Sequence, residues 1–296
     1  MKSKLETRFK TKSQTRLKIK TVEIFASVAI LSLALLLSAC GAPEQNDISS
    51  EMLSEEVSQT INSNGIVGGE ELRPGDRLAR TVVGLYDLNN KTICTGTLLP
   101  NSLVLTAAHC VNRGVENTVV IFDTQIDSGA QRRRVLAAVM HKEFEDRSTH
   151  YWKEWADIAL VRFEGPAPSG YIPAKFLSNP SLLRSQQEVT LAGFGLSDGI
   201  GDRGSGVLRQ TDVRILDPRY AVGEVMMDQS EGRGSCRGDS GGPAFLKIEG
   251  KYYLFGITSR GVGENPQTCK VNSVYTNALA YRNWLRKAEQ NLDQRA

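Results

Sequence analysis

The stretch "GDSGGP", Gly238 to Pro243, sets three glycines around one acid and one hydroxyl in the last quarter of a 296-residue chain. So many glycines in six residues mean that the backbone there takes a path a side chain would obstruct. A serine hydroxyl is a weak nucleophile at neutral pH and needs an adjacent base. That base needs a carboxylate to fix its tautomer and stabilise its charged form. Of three histidines, His141 and His150 have no motif around them, whereas His109 lies in "TAAHC", Thr106 to Cys110. A carboxylate candidate follows in "DIAL", Asp157 to Leu160. Each of the three residues also has a plain reading taken alone: a turn serine, a core histidine, a strand-edge charge.

Around these motifs, short β-rich runs alternate with Gly, Asn, Asp, Pro and Ser. "RTVVGLYDL", "TICTGTLL", "SLVLTAA", "NTVVIF", "RRRVLAAVM", "IALVRF", "EVTLAGFG", "YYLFGIT" and "NSVYTN" are each four to nine residues long. That spacing predicts an all-β sandwich or barrel. Only Leu279 to Asp293 reads as a helix, with Ala280, Trp284, Leu285 and Ala288 on one apolar stripe and packing as its role.

With "IVGG", Ile66 to Gly69, the three motifs stand in the order and spacing of the trypsin/chymotrypsin family of serine proteases, which the chain resembles over about residues 66–288. The resemblance implies two packed six-stranded antiparallel β-barrels with a C-terminal helix. The cleft then lies between halves near 66–178 and 179–280. It implies a serine endopeptidase acting on protein or peptide substrates through an acyl-enzyme, with no metal or organic cofactor. Ser240 is then the nucleophile, His109 the general base and later acid, and Asp157 the orienting carboxylate. The backbone N–H groups of Gly238 and Ser240 form the oxyanion hole. Cleavage before Ile66 frees an amine that pairs with Asp239 and completes that hole. Gly65, not Arg or Lys, precedes Ile66, so the activating protease is unidentified and not trypsin-like. Gly234, Ser235, Ser259, Gly261 and Ser273 fall on the substrate-binding pocket. Trypsin carries an Asp where Gly234 stands, so the expected P1 residue is neutral, aromatic or large aliphatic. Asp228 or Glu231, from the irregular loop "MMDQSEGRGS", are alternative sources of charge there. Arg237 and Arg260 read as surface arginines or as cations that favour acidic residues near the scissile bond. The alternative functions are a catalytically silent binding protein on the same fold and an esterase.

Five cysteines make the simplest parity two disulfides and one differently used thiol. The resemblance pairs Cys94 with Cys110 and Cys236 with Cys269. Cys40 is left over, and a metal site is the less favoured alternative for the others. Cys40 ends "LSAC", after a Lys/Arg-rich segment 1–23 and an apolar run of 14, Ile24 to Leu37. That run suits a secretory signal and is short for a membrane span. "LSAC" resembles the lipobox of bacterial lipoproteins, which implies an acylated Cys40 and a membrane anchor. An ordinary secretory signal and an uncleaved anchor are the alternatives. Gly41 in place of Asp favours the outer membrane or cell surface. The expected organisation is a signal peptide over 1–39, an acylated cysteine with a tether or activation segment over 40–65, a protease domain over 66–290 and a tail over 291–296. A short helix through Met52 to Ile61 fits the tether.

Residues 1–40 hold eight of the 36 basic and two of the 33 acidic residues, so the remainder carries a net charge of −3. A nearly neutral body argues against a nucleic-acid partner. The chain is expected to be a monomer.

Overall fold

β-Branched and aromatic runs with tight turns favour antiparallel pairing of neighbours, and closure of the sheet removes its unpaired edges. The computed structural model describes residues 66–144 and 155–294. The signal run, Cys40, the 40–65 segment and its short helix lie outside the described residues. In chain order the strands are β1 (Glu70–Glu71), β2 (Val82–Asp87), β3 (Ile93–Leu99), β4 (Leu103–Thr106), β5 (Thr118–Phe122), β6 (Gln131–Met140) and β7 (Ala159–Phe163). They continue with β8 (Lys175–Phe176), β9 (Glu188–Gly193), β10 (Arg209–Ala221), β11 (Glu224–Asp228), β12 (Pro243–Ile248), β13 (Lys251–Val262) and β14 (Asn272–Asn277). One helix, α1 (Arg282–Asp293), closes the fold.

Strands β2 to β7 close into one six-stranded antiparallel barrel in the order β2-β3-β4-β7-β6-β5. A second ring of six runs β9-β10-β11-β14-β13-β12 and shuts through β12 onto β9. The two-residue strands β1 and β8 extend this second sheet, β8 in parallel with β13. The two-barrel architecture is the one the resemblance implies.

The three largest buried clusters account for most of the packing. Val83, Leu98, Val120, Phe122, Val161 and Phe163 fill the first barrel, with Phe122 edge-on to Phe163 at 5.3 Å. Leu191, Val213, Ile215, Met227, Phe255 and Tyr275 fill the second. Val82, Leu105, Ile158, Phe194, Phe245 and Ile257 form the seam between barrels. The helix packs into that seam cluster through Leu285, Ala288 and Leu292.

The structure differs from the sequence reading in two places. The helix starts at Arg282, not Leu279, because Ala280 and Tyr281 donate back to Asn277 and Ala278 in short turns. Ala280 is exposed, and Leu292 takes its place on the buried stripe. Strands β10, β11 and β12 and the two-residue strands β1 and β8 are absent from the nine runs. β10 is charged on alternate residues, and Pro218 sits where its register with β11 shifts.

Leu292 is fully buried in the last helical turn, whereas Arg286 is exposed. Leu292→Ala is expected to cost about 2–5 kcal/mol of unfolding free energy. Arg286→Ala is expected to stay within about 0.5 kcal/mol. Urea denaturation of the two variants checks the pair.

Candidate active site

The three motif residues come from loops at the seam. His109 sits in a single 3-10 turn, Ala108–Cys110, just after β4. Asp157 lies two residues before β7, next to Ala156, which is held at φ 44°. Ser240 lies in the turn that enters β12. His109 and Asp157 thus belong to the first barrel and Ser240 to the second. A cleft of about 400 Å³ is lined by all three, together with Ser259 and Trp155.

Asp157 is 1% exposed, so its carboxylate depends on protein donors. Oδ1 accepts the backbone N–H of His109 at 3.0 Å. Oδ2 meets His109 Nδ1 at 2.8 Å and accepts the hydroxyl of Ser259 at 2.7 Å. Burial works against ionisation here, but the charge of His109 and these hydrogen bonds outweigh it. They hold the carboxyl below its ordinary range. Its carbonyl also accepts the hydroxyl of Thr276 at 3.0 Å. Ser259, expected on the substrate wall, therefore also orients the acid. It sits at the bulge where β13 shifts register against β14.

The Ser240 turn is clamped to the first barrel by Thr95, which the motifs do not include. Its N–H donates to the Ser240 carbonyl at 2.8 Å, and its hydroxyl donates to the Gly238 carbonyl at 2.9 Å. Gly241, at φ +81°, lies so close that a Cβ there would stand 2.0 Å from Thr106 Oγ1. Gly238 is at φ +97° against the Cα of Gly195. Among the described residues, no protein acceptor takes up the N–H of Gly238 or Ser240. Two donors without acceptors at the rim of a cleft can receive an oxyanion.

Behind them Asp239 is fully buried. Its oxygens accept the N–H groups of Gly195 and Cys236, each at 2.8 Å. Burial dominates and pushes its pKa up to about 7, against those two bonds and the field of Arg209. Ile66 is buried in the second barrel, and the carbonyl of Val67 accepts the N–H of Gly234 at 3.0 Å.

A second cavity of about 290 Å³ adjoins Ser240 and is lined by Ser235, Ser259, Gly261, Arg260 and Gln229. Two of the expected pocket residues, Gly234 and Ser273, do not line it. Gln229 stands in front of both: a Cβ on Gly234 would come within 2.1 Å of its Cδ, and Ser273 donates its hydroxyl to Gln229 Oε1. Asp228 and Glu231 face a separate small cavity on the far side of the loop. Arg260 makes a bidentate pair with the buried Glu224, at 2.7 and 2.9 Å, and stacks on Trp155 at 4.2 Å. Arg237 pairs with Asp202 and the Gln267 carbonyl. Both guanidiniums are thus engaged within the protein.

Cys94–Cys110 and Cys236–Cys269 are disulfides. The first joins β3 to the His109 turn, and the second joins the Ser240 loop to the pocket wall. The group Cys94, His109 and Cys110 brings metal-type donors together, but both sulfurs are bonded to each other. Two disulfides are consistent with an extracellular protein.

The family model for trypsin matches residues 66–285. The chain belongs to the trypsin family of serine proteases. Coagulation factor IX of Cavia porcellus is 28% identical over 244 residues, which cover 74% of this chain and 80% of that protein. Membership in the family supports a serine endopeptidase whose substrates are proteins.

Folded Asp239 keeps its proton up to pH about 7, whereas the unfolded chain releases it near pH 4. Between those values the folded state binds more protons, so this group's contribution to stability falls as pH rises. It is complete below pH about 4 and lost above pH about 7. Denaturant midpoints of the uncut chain are expected to slope downward across that range, and Asp239→Asn is expected to flatten the slope.

Proposed function

We propose that the protein is a surface-anchored or secreted serine endopeptidase that cleaves through Ser240, His109 and Asp157. The observation that carries this reading is the buried Asp157–His109 pair at 2.8 Å, which shares one cleft with Ser240. With Nδ1 bound to Asp157, proton transfer runs through Nε2. Ser240 Oγ attacks the scissile carbonyl carbon as His109 takes its proton. The new oxyanion is received by the N–H groups of Gly238 and Ser240. His109 then gives the proton to the leaving amine, and the acyl-enzyme forms. Water, with His109 as base, releases the acid product and restores Ser240. A buried carboxylate below its ordinary pKa favours the imidazolium that forms twice in this cycle.

Activation follows from the second carboxylate. Asp239 is buried with a raised pKa, so the ionised form lacks full compensation. Cleavage before Ile66 supplies an α-ammonium at a residue already buried in the second barrel. The pair then orders the turn that carries Gly238. With Gly65 ahead of the bond, the activator cuts after a small residue, or nearby with trimming. The cut also separates the domain from an acyl chain at Cys40, so activation releases the enzyme from the membrane. Before it, two or three acyl chains on Cys40 hold the precursor at the cell envelope. The P1 side chain is neutral, because the pocket beside Ser240 has no carboxylate in its lining and its two arginines, Arg237 and Arg260, are already paired with Asp202 and Glu224.

A fluorophosphonate probe is expected to label the activated protein, and Ser240→Ala to abolish both labelling and peptide hydrolysis, with kcat down by about 10⁶. A folded, processed protein that the probe never labels would instead be the silent binder. N-terminal sequencing of active material is expected to begin at Ile66 with IVGG; active material that still starts at Cys40 would refute the switch. Radioactive fatty acid is expected to label the wild type and not Cys40→Ala.

A further inference from the structure

Gln229 has no motif around it, yet it is 1% exposed at the end of the cavity beside Ser240. Its orientation is fixed by its neighbours. The backbone N–H of Ser235 can only donate, and it reaches Gln229 Oε1 at 2.9 Å. The hydroxyls of Ser235 and Ser273 donate to the same oxygen at 3.0 and 2.5 Å. The oxygen is therefore saturated, and the amide cannot turn over without opposing N–H to N–H. Nε2 donates to the Ser235 carbonyl at 3.2 Å. The second hydrogen of Nε2 has no acceptor among the described residues.

At Gln229 this pocket thus offers an amide N–H without a protein acceptor, and its lining holds no carboxylate. An aliphatic or aromatic side chain seated there strips water from this donor and returns nothing. A cationic side chain meets donors where it needs acceptors. A carboxylate meets donors, but the two guanidiniums in the lining, Arg237 and Arg260, are already paired with Asp202 and Glu224. A neutral side-chain carbonyl satisfies the floor at no such cost.

We propose that Gln229 is the residue that selects P1 in this chain, and that it favours substrates with glutamine or asparagine before the scissile bond. The assignment rests on the protease reading above and narrows its neutral P1 class. It uses the geometry of this loop alone, since Gly234 holds φ +151° and leaves room for the Gln229 side chain that any Cβ would take.

The test profiles the full chain, before and after cleavage ahead of Ile66, on peptides that differ only at P1: Gln, Asn, Leu, Phe, Lys and Glu. Fluorophosphonate labelling counts the active sites. The expected result is kcat/KM about tenfold higher for Gln than for Leu, the worth of one hydrogen bond made in the pocket. In Gln229→Glu the shape is kept and the Nε2 donor becomes an acceptor oxygen. Its expected profile moves toward Lys by about tenfold relative to Gln. A wild-type preference for Leu or Phe overturns the proposal, and that profile alone decides if the variant does not fold. A glutamine preference unchanged in folded Gln229→Glu overturns the role of Gln229. Hydrolysis with the wrong preference leaves the protease reading intact. Absence of both labelling and hydrolysis in the cleaved protein overturns that reading and the P1 assignment with it.

Discussion

The carboxylate of Asp157 is the constraint on which the cleft depends. A buried acid is tolerated only when donors surround it, and here they come from both barrels. His109 gives a backbone N–H and a ring nitrogen from the first barrel, and Ser259 gives a hydroxyl from a bulge in the second. Thr276, also from the second barrel, holds the carbonyl of the same residue. The acid can be fully bonded only when the barrels are docked. Docking in turn needs the apolar seam of Leu105, Ile158, Phe194, Phe245 and Ile257. The hydrophobic effect brings the halves together without direction, and the hydrogen bonds to Asp157 convert that contact into one geometry. Thr95 does the same from the other side, tying the Ser240 turn to β3 through two bonds.

Two buried carboxylates within one fold are pushed in opposite directions. Asp157 has an imidazole and a hydroxyl in addition to an amide, and its pKa lies below the ordinary range. Asp239 has two amides and only the more distant help of Arg209, and its pKa rises to about 7. The difference is one of partner charge, since both are almost wholly removed from water. An acid already stabilised suits a cycle that must generate an imidazolium repeatedly. An acid left short of a cation can respond to a single covalent event elsewhere in the chain. Gly193 and Gly195 leave the space its oxygens occupy, for a Cβ on either would stand within 2.5 Å of the carboxylate.

The parts of this design that the sequence exposes are those with a narrow chemical tolerance. A histidine, an acid and a serine are narrow choices for such a site, so His109, Asp157 and Ser240 stand out in short motifs, and the structure brings them to one cleft. Strands such as β5, "TVVIF", are legible because burial on both faces demands continuous apolar residues. β10 escapes the same reading. Arg209, Thr211, Val213 and Ile215 point inward while Asp212, Arg214 and Leu216 point out, so buried polar residues blur the period. The helix start is missed because residues 277–281 turn with short-range bonds that no apolar pattern reports. Thr95 and Gln229 are invisible in sequence for another reason. Their roles exist only through partners far along the chain, Gly238 for one and Ser273 for the other.

That long-range dependence limits how the pocket can change. Gly234 and Gln229 fill one volume between them: the glycine has no Cβ, and the glutamine occupies the place where one would be. An acidic side chain at 234, the arrangement that suits cationic P1 residues in trypsin, therefore meets Gln229 first. It also meets a backbone at φ +151°, which side chains rarely adopt. Moving Gln229 aside strands the N–H of Ser235 and the hydroxyl of Ser273, each now bonded to Oε1. Gly234 further donates its own N–H to Val67, one residue beyond the expected cleavage point. Gly234 thus faces Gln229 on one side and the Ile66–Val67 segment on the other. A side chain at 234 disturbs the bond to Val67 as well as Gln229, whereas a substitution at Gln229 leaves that bond untouched.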